Sequence, residues 1–172
     1  MTIQARKDPQ SVTRNWQPVS IPIEGVRLIR SRHVVTRNGY TTENFRSDWD
    51  DINYDAKHVM TNRWDTPITT DWHCHHKQSD HIMVLLGRIL IGLYDDREMS
   101  VSRGKSMVVR CDWADPQLVV VPPGVYHSFK VLVAPALMLN TITHVYEYED
   151  PDHWRLAGGD KAQIPLDLSK ME

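Results

Sequence analysis

The chain has 172 residues, of which 20 are Lys or Arg and 22 are Asp or Glu, giving a formal net charge of −2 at pH 7. That length suits one domain able to bury roughly 70% of its unfolded surface, so neither metal nor disulfide is needed simply to fold. The balanced, interspersed charge gives no electrostatic case for nucleic acid or an anionic membrane, and no window approaches the ~20 apolar residues of a membrane-spanning helix.

Residues 1–18 are polar, contain Pro9 and show no periodicity, so they read as an arm. They lack the apolar core of a secretory leader, which sets the expectation of a cytoplasmic protein with Cys74 and Cys111 reduced. From Val19 the chain becomes a succession of short β-branched runs separated by turn residues: VSIPI, GVRLIRSRHVV, HVMTNRW, TTDWHCH, HIMVLLGRILIGLY, SMVVRC, QLVVVP, HSFKVLV and ALMLNTITHVY. Gly87 and Gly92 inside His81–Tyr94 predict two short strands with a tight bend rather than a helix. The pattern predicts an all-β single domain, a barrel over residues 19–150. The loop-like tail, 151–172, is expected to pack on it with one helical turn.

Alternation sorts the side chains. Asp71, His73 and His75 fall on one strand face, Asp80, Ile82, Val84 and Leu86 on another, and His127, Phe129, Val131 and Val133 on a third. Polar and large apolar groups sharing faces suggest a barrel whose interior holds a site. His76 and His81 point the other way and read as solvent or interface histidines. Gln78 reads as a solvated turn residue, with closure of the pocket mouth as the alternative, and Cys74 as a small outward-facing strand residue or, between two histidines, a metal ligand.

Five of the nine histidines are His73, His75, His76, His81 and His127. His-x-His on a strand sets two imidazoles on one face, roughly 6.6 Å apart along the chain. Strands spaced by about 4.8 Å can bring Asp80 and His127 to the same point. His73, His75, Asp80 and His127 are therefore candidate ligands for a divalent transition metal: Fe, Zn, Mn or Ni. Asp80 is a short acid; if it falls short of the ion, it would instead orient an imidazole from behind. Asp71 and His144 are the candidate proton acceptors. An equal alternative for Asp71 is a carboxylate that accepts an imidazole N–H.

His73-x-His75-x4-Asp80-x6-Gly87 resembles the first motif of the cupin superfamily, with Asp where Glu is usual. Pro116-x5-Pro122-x-Gly124-x2-His127 resembles the second. The resemblance implies a cupin jelly-roll barrel, with the ligand set just given.

The segments IEGVRLIRSRHVVTRNGYTTENFRSDW, GRILIGLYDDRE, VPPGVYHSFKVL and ITHVYEYEDPDHWRL carry a wider, patchy resemblance, over residues 19–168, to the dTDP-4-dehydrorhamnose 3,5-epimerases and related sugar-nucleotide isomerases. It implies a homodimer with an exchanged N-terminal strand, a histidine base at His73, and no metal. The chain departs from that pattern at two points. Thr70-Asp71-Trp72-His73 lacks the arginine of the family's histidine motif, and Asn140 stands where a tyrosine acid belongs. An amide cannot deliver the proton that a phenol can.

The expectation is a metal-dependent enzyme moving protons on a small oxygenated, sugar- or keto-acid-like substrate. Arg63, Trp64, Trp72, Phe129 and Asn140 are expected around its pocket. An Fe(II) dioxygenase on the same scaffold and a non-catalytic metabolite binder are the alternatives.

Overall fold

The computed structural model describes residues 12, 14–15, 22–46, 48–49, 55–156 and 163–172. Residues 19–21 of the predicted VSIPI strand, and most of the predicted arm, lie outside that set. Ten strands follow in chain order: β1 Arg27–Arg30, β2 His33–Thr36, β3 Gly39–Thr42, β4 His58–Trp64, β5 His73–Cys74, β6 Asp80–Asp95, β7 Ser106–Asp112, β8 Gln117–Val121, β9 Val125–Ile142 and β10 Trp154–Arg155. A 3-10 turn, Leu168–Lys170, lies near the end of the described chain. Among the described residues no helix is long and apolar enough to cross a membrane.

Two long strands organise the molecule. β6 and β9 pair antiparallel from Asp80↔Ile142 to Asp95↔Val125. β8 then borders the first part of β6, with β1 outside it, and β7 borders the second part. On the other side β4 lines the second half of β9, while β5 and then β10 line the first half. The long strands thus run through both halves of an all-β jelly roll. Ile82, Val84, Ile89, Ile91, Leu93, Val119, Val121, Phe129, Val131 and Met138 fill the space between them.

The expected break between two strands in His81–Tyr94 is instead a bulge in one continuous strand. The register shifts between Val84 and Ile89. Gly87 sits there at φ +75°, and a Cβ on it would lie 2.4 Å from the Val133 carbonyl oxygen and 2.7 Å from that of Pro135. An extra residue flips the alternation. Even-numbered side chains point into the core before the bulge and odd-numbered ones after it, so Leu86 is 43% exposed rather than on the Asp80 face. The facing strand changes parity too, which leaves Val133 outside and Ala136 and Met138 inside. HSFKVLV and ALMLNTITHVY are correspondingly one strand, β9.

Two smaller apolar clusters lie outside the barrel. Met83, Leu118 and Val120 are covered by Phe45 and Trp49. Trp72 and Leu90 are covered by Ile164 and Leu168 of the C-terminal segment. His81, expected at the surface or an interface, is buried, as is Cys74.

Candidate active site

A cavity of about 630 Å³ opens into one end of the barrel. Its floor and walls come from β4, β5, β6 and β9, and residues 151–155 form one rim. Strand register explains the convergence. His73 on β5 is the direct partner of His127 on β9, and Arg155 on β10 is the direct partner of His73. Paired residues share a sheet face, so one cross-strand row carries Arg155, His73 and His127. Asp80 opens β6 opposite Ile142, and Asn140 lies two residues back along β9.

At the bottom, His127 is fully buried. Its Nδ1 lies 3.1 Å from the Val125 carbonyl, which can only accept, so the proton sits on Nδ1. The lone pair on Nε2 then faces Asp80, whose Oδ2 is 3.4 Å away. His75 is set the same way. Its Nδ1 donates to the Asp152 carbonyl, leaving Nε2 turned to the same Oδ2 at 3.6 Å. Asp80 is held from the other side by Gln78 Nε2, donating at 2.8 Å, and Asn140 Nδ2, donating at 3.0 Å. Burial pushes the Asp80 carboxyl up, but with no ion between them a proton shared from His127, the positive charge of His127 and His75 when protonated, and the Gln78 amide outweigh it and hold the group below the ordinary carboxylate range.

His73 stands above this trio. Its ring stacks on His153, with centroids 4.5 Å apart and planes within 4°, and meets His127 edge-on at 4.1 Å. Burial first, then the neighbouring imidazoles, drive its pKa down to about 2, so the ring is neutral at physiological pH. His153 is lowered to about 4 by burial, His75 and Arg155.

The candidate ligands therefore divide. The ligand atoms of His75, Asp80 and His127 lie within 4.8 Å of one another, and so do those of His73, His75 and His153. His73, expected alongside Asp80, belongs to the second group. Two nitrogen lone pairs and a carboxylate oxygen facing one point are a donor set suited to a divalent transition ion. Ligand atoms about 2.1 Å from a tetrahedral ion stand roughly 3.4 Å apart, close to the 3.4 and 3.6 Å separations from Asp80.

Trp64, Phe129 and Asn140 line the cavity as expected. Four other candidates do not. Arg63 alternates outward from Asn62 and Trp64 and pairs with Asp65 at 2.8 Å. Trp72 faces the outer cluster with Leu90 and Leu168. Asp71 precedes a strand only two residues long, so alternation does not carry back to it, and it is exposed. His144 lies past the end of β9, exposed, with Nδ1 3.2 Å from Thr143 Oγ1. Gln78, expected to be solvated, is a buried wall residue.

Sequence reasoning missed the contribution of the tail. Pro151, Asp152, His153 and Arg155 all line the cavity, as does Tyr146. The Asp152 carboxylate accepts the backbone N–H groups of His76 at 2.9 Å, Lys77 at 2.7 Å and Gln78 at 3.3 Å, which pins the segment over the site. The period-two spacing of His153 and Arg155 is the signal that could have revealed them.

Residues 20–164 match the family model of dTDP-4-dehydrorhamnose 3,5-epimerase. A probable low-salt glycan biosynthesis epimerase of Haloferax volcanii is 35% identical over 122 residues, 70% of this chain and 78% of that protein. A spore coat polysaccharide biosynthesis protein of Bacillus subtilis is 26% identical over 140 residues, 81% of this chain and 92% of that one. Among solved structures, a dTDP sugar isomerase from Desulfovibrio desulfuricans superposes with a TM-score of 0.80 at 22% identity, over 90% of this chain and 97% of that one. A dTDP-6-deoxy-D-glucose-3,5-epimerase from Legionella pneumophila, solved with dTDP-4-keto-L-rhamnose, gives 0.74 at 20% identity, over 87% and 81%.

Proposed function

The chain belongs to the dTDP-4-dehydrorhamnose 3,5-epimerase family, and on that premise we propose that it is a sugar-nucleotide epimerase or isomerase working by proton transfer next to a carbonyl. The observation that carries the reading is geometric: His73 stands on the wall of a sugar-sized cavity, above a buried cluster of two imidazoles and a carboxylate. His73 takes the proton from the carbon beside the carbonyl. The C–H electron pair becomes the enolate double bond and the carbonyl oxygen takes the negative charge. Return of a proton to the opposite face, or to the neighbouring carbon, gives the epimer or the isomer. Asn140 cannot be the donor, because its amide is engaged with Asp80 and the His81 backbone N–H. Tyr146, a phenol on the same cavity wall, is the acid in this reading.

His75, Asp80 and His127 would hold a divalent transition ion, with Gln78 and Asn140 fixing the carboxylate that faces it. Such an ion, when bound, acts as a Lewis acid toward a carbonyl oxygen. The resemblance to the epimerases implies metal-free chemistry; the convergence of lone pairs in this chain favours the ion.

The test is exchange of solvent deuterium into a dTDP-4-keto-6-deoxy sugar. Wild-type protein should label the carbons beside the carbonyl, and His73→Asn should slow labelling by about 10²–10⁴-fold, the worth of a positioned acid or base. No labelling by wild-type protein, or full-rate labelling by the variant, defeats the proposal.

The protein acts as a homodimer in this reading. β1 is the end strand of its sheet among the described residues, and β2–β3 forms a separate two-stranded sheet with Val34 and Val35 exposed. An isolated hairpin is marginal in water, and an open strand edge is a template for another chain. A second copy covers both.

A further inference from the structure

We propose that His153 is a positioning residue whose flat ring face fixes the plane of the His73 imidazole. The inference takes its catalytic consequence from the reading of His73 as the base, and its own support from ring geometry.

Little else sets the plane of His73. Rotation about the bond that carries an imidazole ring has no sharp preferred angle, so contacts must choose it. Among the described residues His73 makes one hydrogen bond, from Nδ1 to the Asp71 carbonyl oxygen, and at 3.5 Å it is long and weak. The buried carboxylate of Asp80 is held by Gln78 and Asn140 and faces His75 and His127 instead. Ring contacts remain. His75, His127 and Phe129 meet His73 at 82°, 60° and 56°, whereas His153 lies within 4° of parallel with centroids 4.5 Å apart. Turning the His73 ring out of its plane would drive its edge into this parallel neighbour.

Strand register delivers His153 to that place. β10 pairs Arg155 with His73 and Trp154 with Cys74, so one further step of the same ladder sets His153 across from His75 and diagonal to His73. Diagonal neighbours on one sheet face are within reach of aromatic rings. The backbone is tied on both sides of His153. The Asp152 carboxylate before it accepts the backbone N–H groups of His76, Lys77 and Gln78, and Leu156 after it donates to the Trp72 carbonyl at 3.1 Å.

The nitrogens of His153 do not account for its position. Nε2 is buried with no hydrogen-bond partner among the described residues. Imidazole lone pairs lie in the ring plane. Two stacked, near-parallel rings therefore do not aim them at one ion, although the ligand atoms of His73, His75 and His153 lie within 4.8 Å of one another. What His153 supplies is its face, and a ring without nitrogens should supply the same.

The experiment compares His153→Phe, which keeps a flat face, with His153→Leu, which fills the space without one. The first readout needs no substrate: the proton–carbon correlation spectrum of the full chain with isotope-labelled histidine rings, in which the His73 signal is the one missing from His73→Asn. In wild type it should be a single sharp line, shielded by the stacked ring. His153→Phe should keep it shielded, and His153→Leu should move it downfield and broaden it as the ring samples other planes. The second readout is deuterium exchange into the keto sugar. His153→Leu should lower kcat by about 10²-fold, the effect of a misplaced reacting group, with KM unchanged, and His153→Phe should restore it. An unmoved His73 signal in His153→Leu overturns the assignment, and so does a His153→Phe that behaves like His153→Leu in either readout. A KM that rises while kcat holds also overturns it, because His153 would then be a substrate contact. The expected spectra from a protein that exchanges no deuterium leave the assignment standing and remove the epimerase reading instead.

Discussion

Nε2 of His127 faces Oδ2 of Asp80 across 3.4 Å, and in the neutral ring neither atom carries a proton. Two acceptors do not bond to one another; they require a cation or a shared proton between them. Because Nε2 of His75 faces the same oxygen at 3.6 Å, three donor atoms aim at one point. The expected outcome is one equivalent of a divalent transition metal in protein purified without a histidine tag. His75→Ala and Asp80→Asn should each remove it without unfolding the chain, as read by elemental analysis and circular dichroism. Full metal content in either variant would show that the ion, if present, is held elsewhere.

Much of this site was legible in the sequence: Asp80 and His127 sit on long strands where alternation holds, and the His-x-His spacing marks His73 and His75 even though β5 spans only His73–Cys74. Alternation failed where the ladder was irregular or short. Asp71 was placed beside His73 by parity, yet β5 has only two residues, so parity had nothing to run on. Leu86 and Val133 were lost to the parity change at Gly87, which signalled a bend but not an inserted residue. Arg63 and Trp64 are adjacent, so strict alternation on β4 would have separated them, and only Trp64 reaches the cavity. The contributions of Asp152, His153 and Arg155 were hidden for another reason. The bond from His75 to the Asp152 carbonyl spans 77 positions, so although the spacing of His153 and Arg155 marks a shared face, it does not say where that segment docks.

Gly87→Ala tests the bulge. The methyl group would lie inside van der Waals contact of two backbone carbonyls, at a φ of +75° that side chains rarely adopt. Backbone strain of this kind costs on the order of 1–3 kcal/mol before any steric shift, so the melting temperature should fall by roughly 4–8 °C for a loss of about 2 kcal/mol. A differential scanning calorimetry trace superimposable on wild type would mean that the turn relaxes at no cost.

The hairpin β2–β3 predicts an oligomer that a surface change can weaken. Val35 is 84% exposed and Val34 63% exposed, on a sheet of two strands. Sedimentation at micromolar concentration should report a dimer, and Val34→Asp with Val35→Asp should shift it toward monomer. A wild-type monomer at that concentration removes the proposal, and an unshifted dimer moves the interface off this hairpin.

Acid should destabilise the protein through its buried histidines, and His81 isolates one of them. The ring is 3% exposed, packed on the face of β6 opposite Asp80. Burial lowers its pKa from 6.5 to about 4, against partial compensation from the backbone of Thr141, the charge of Asp80 and the backbone of Ser79. The folded state therefore refuses a proton that the unfolded chain accepts below pH 6.5. This contribution to stability is complete above the unfolded pKa and is lost as pH falls through the window from 6.5 to about 4. At about 1.4 kcal/mol per pKa unit, the loss at one site is roughly 3 kcal/mol. His73 and His153 are shifted in the same direction, so the wild-type slope sums several sites. His81→Asn places an amide where Nδ1 stood and cannot titrate, so it should flatten the dependence of the urea midpoint on pH by about one proton's worth, whatever its effect at neutral pH. Parallel curves for the two proteins between pH 7 and 4 would mean that His81 takes up its proton in the folded state as readily as in the unfolded one.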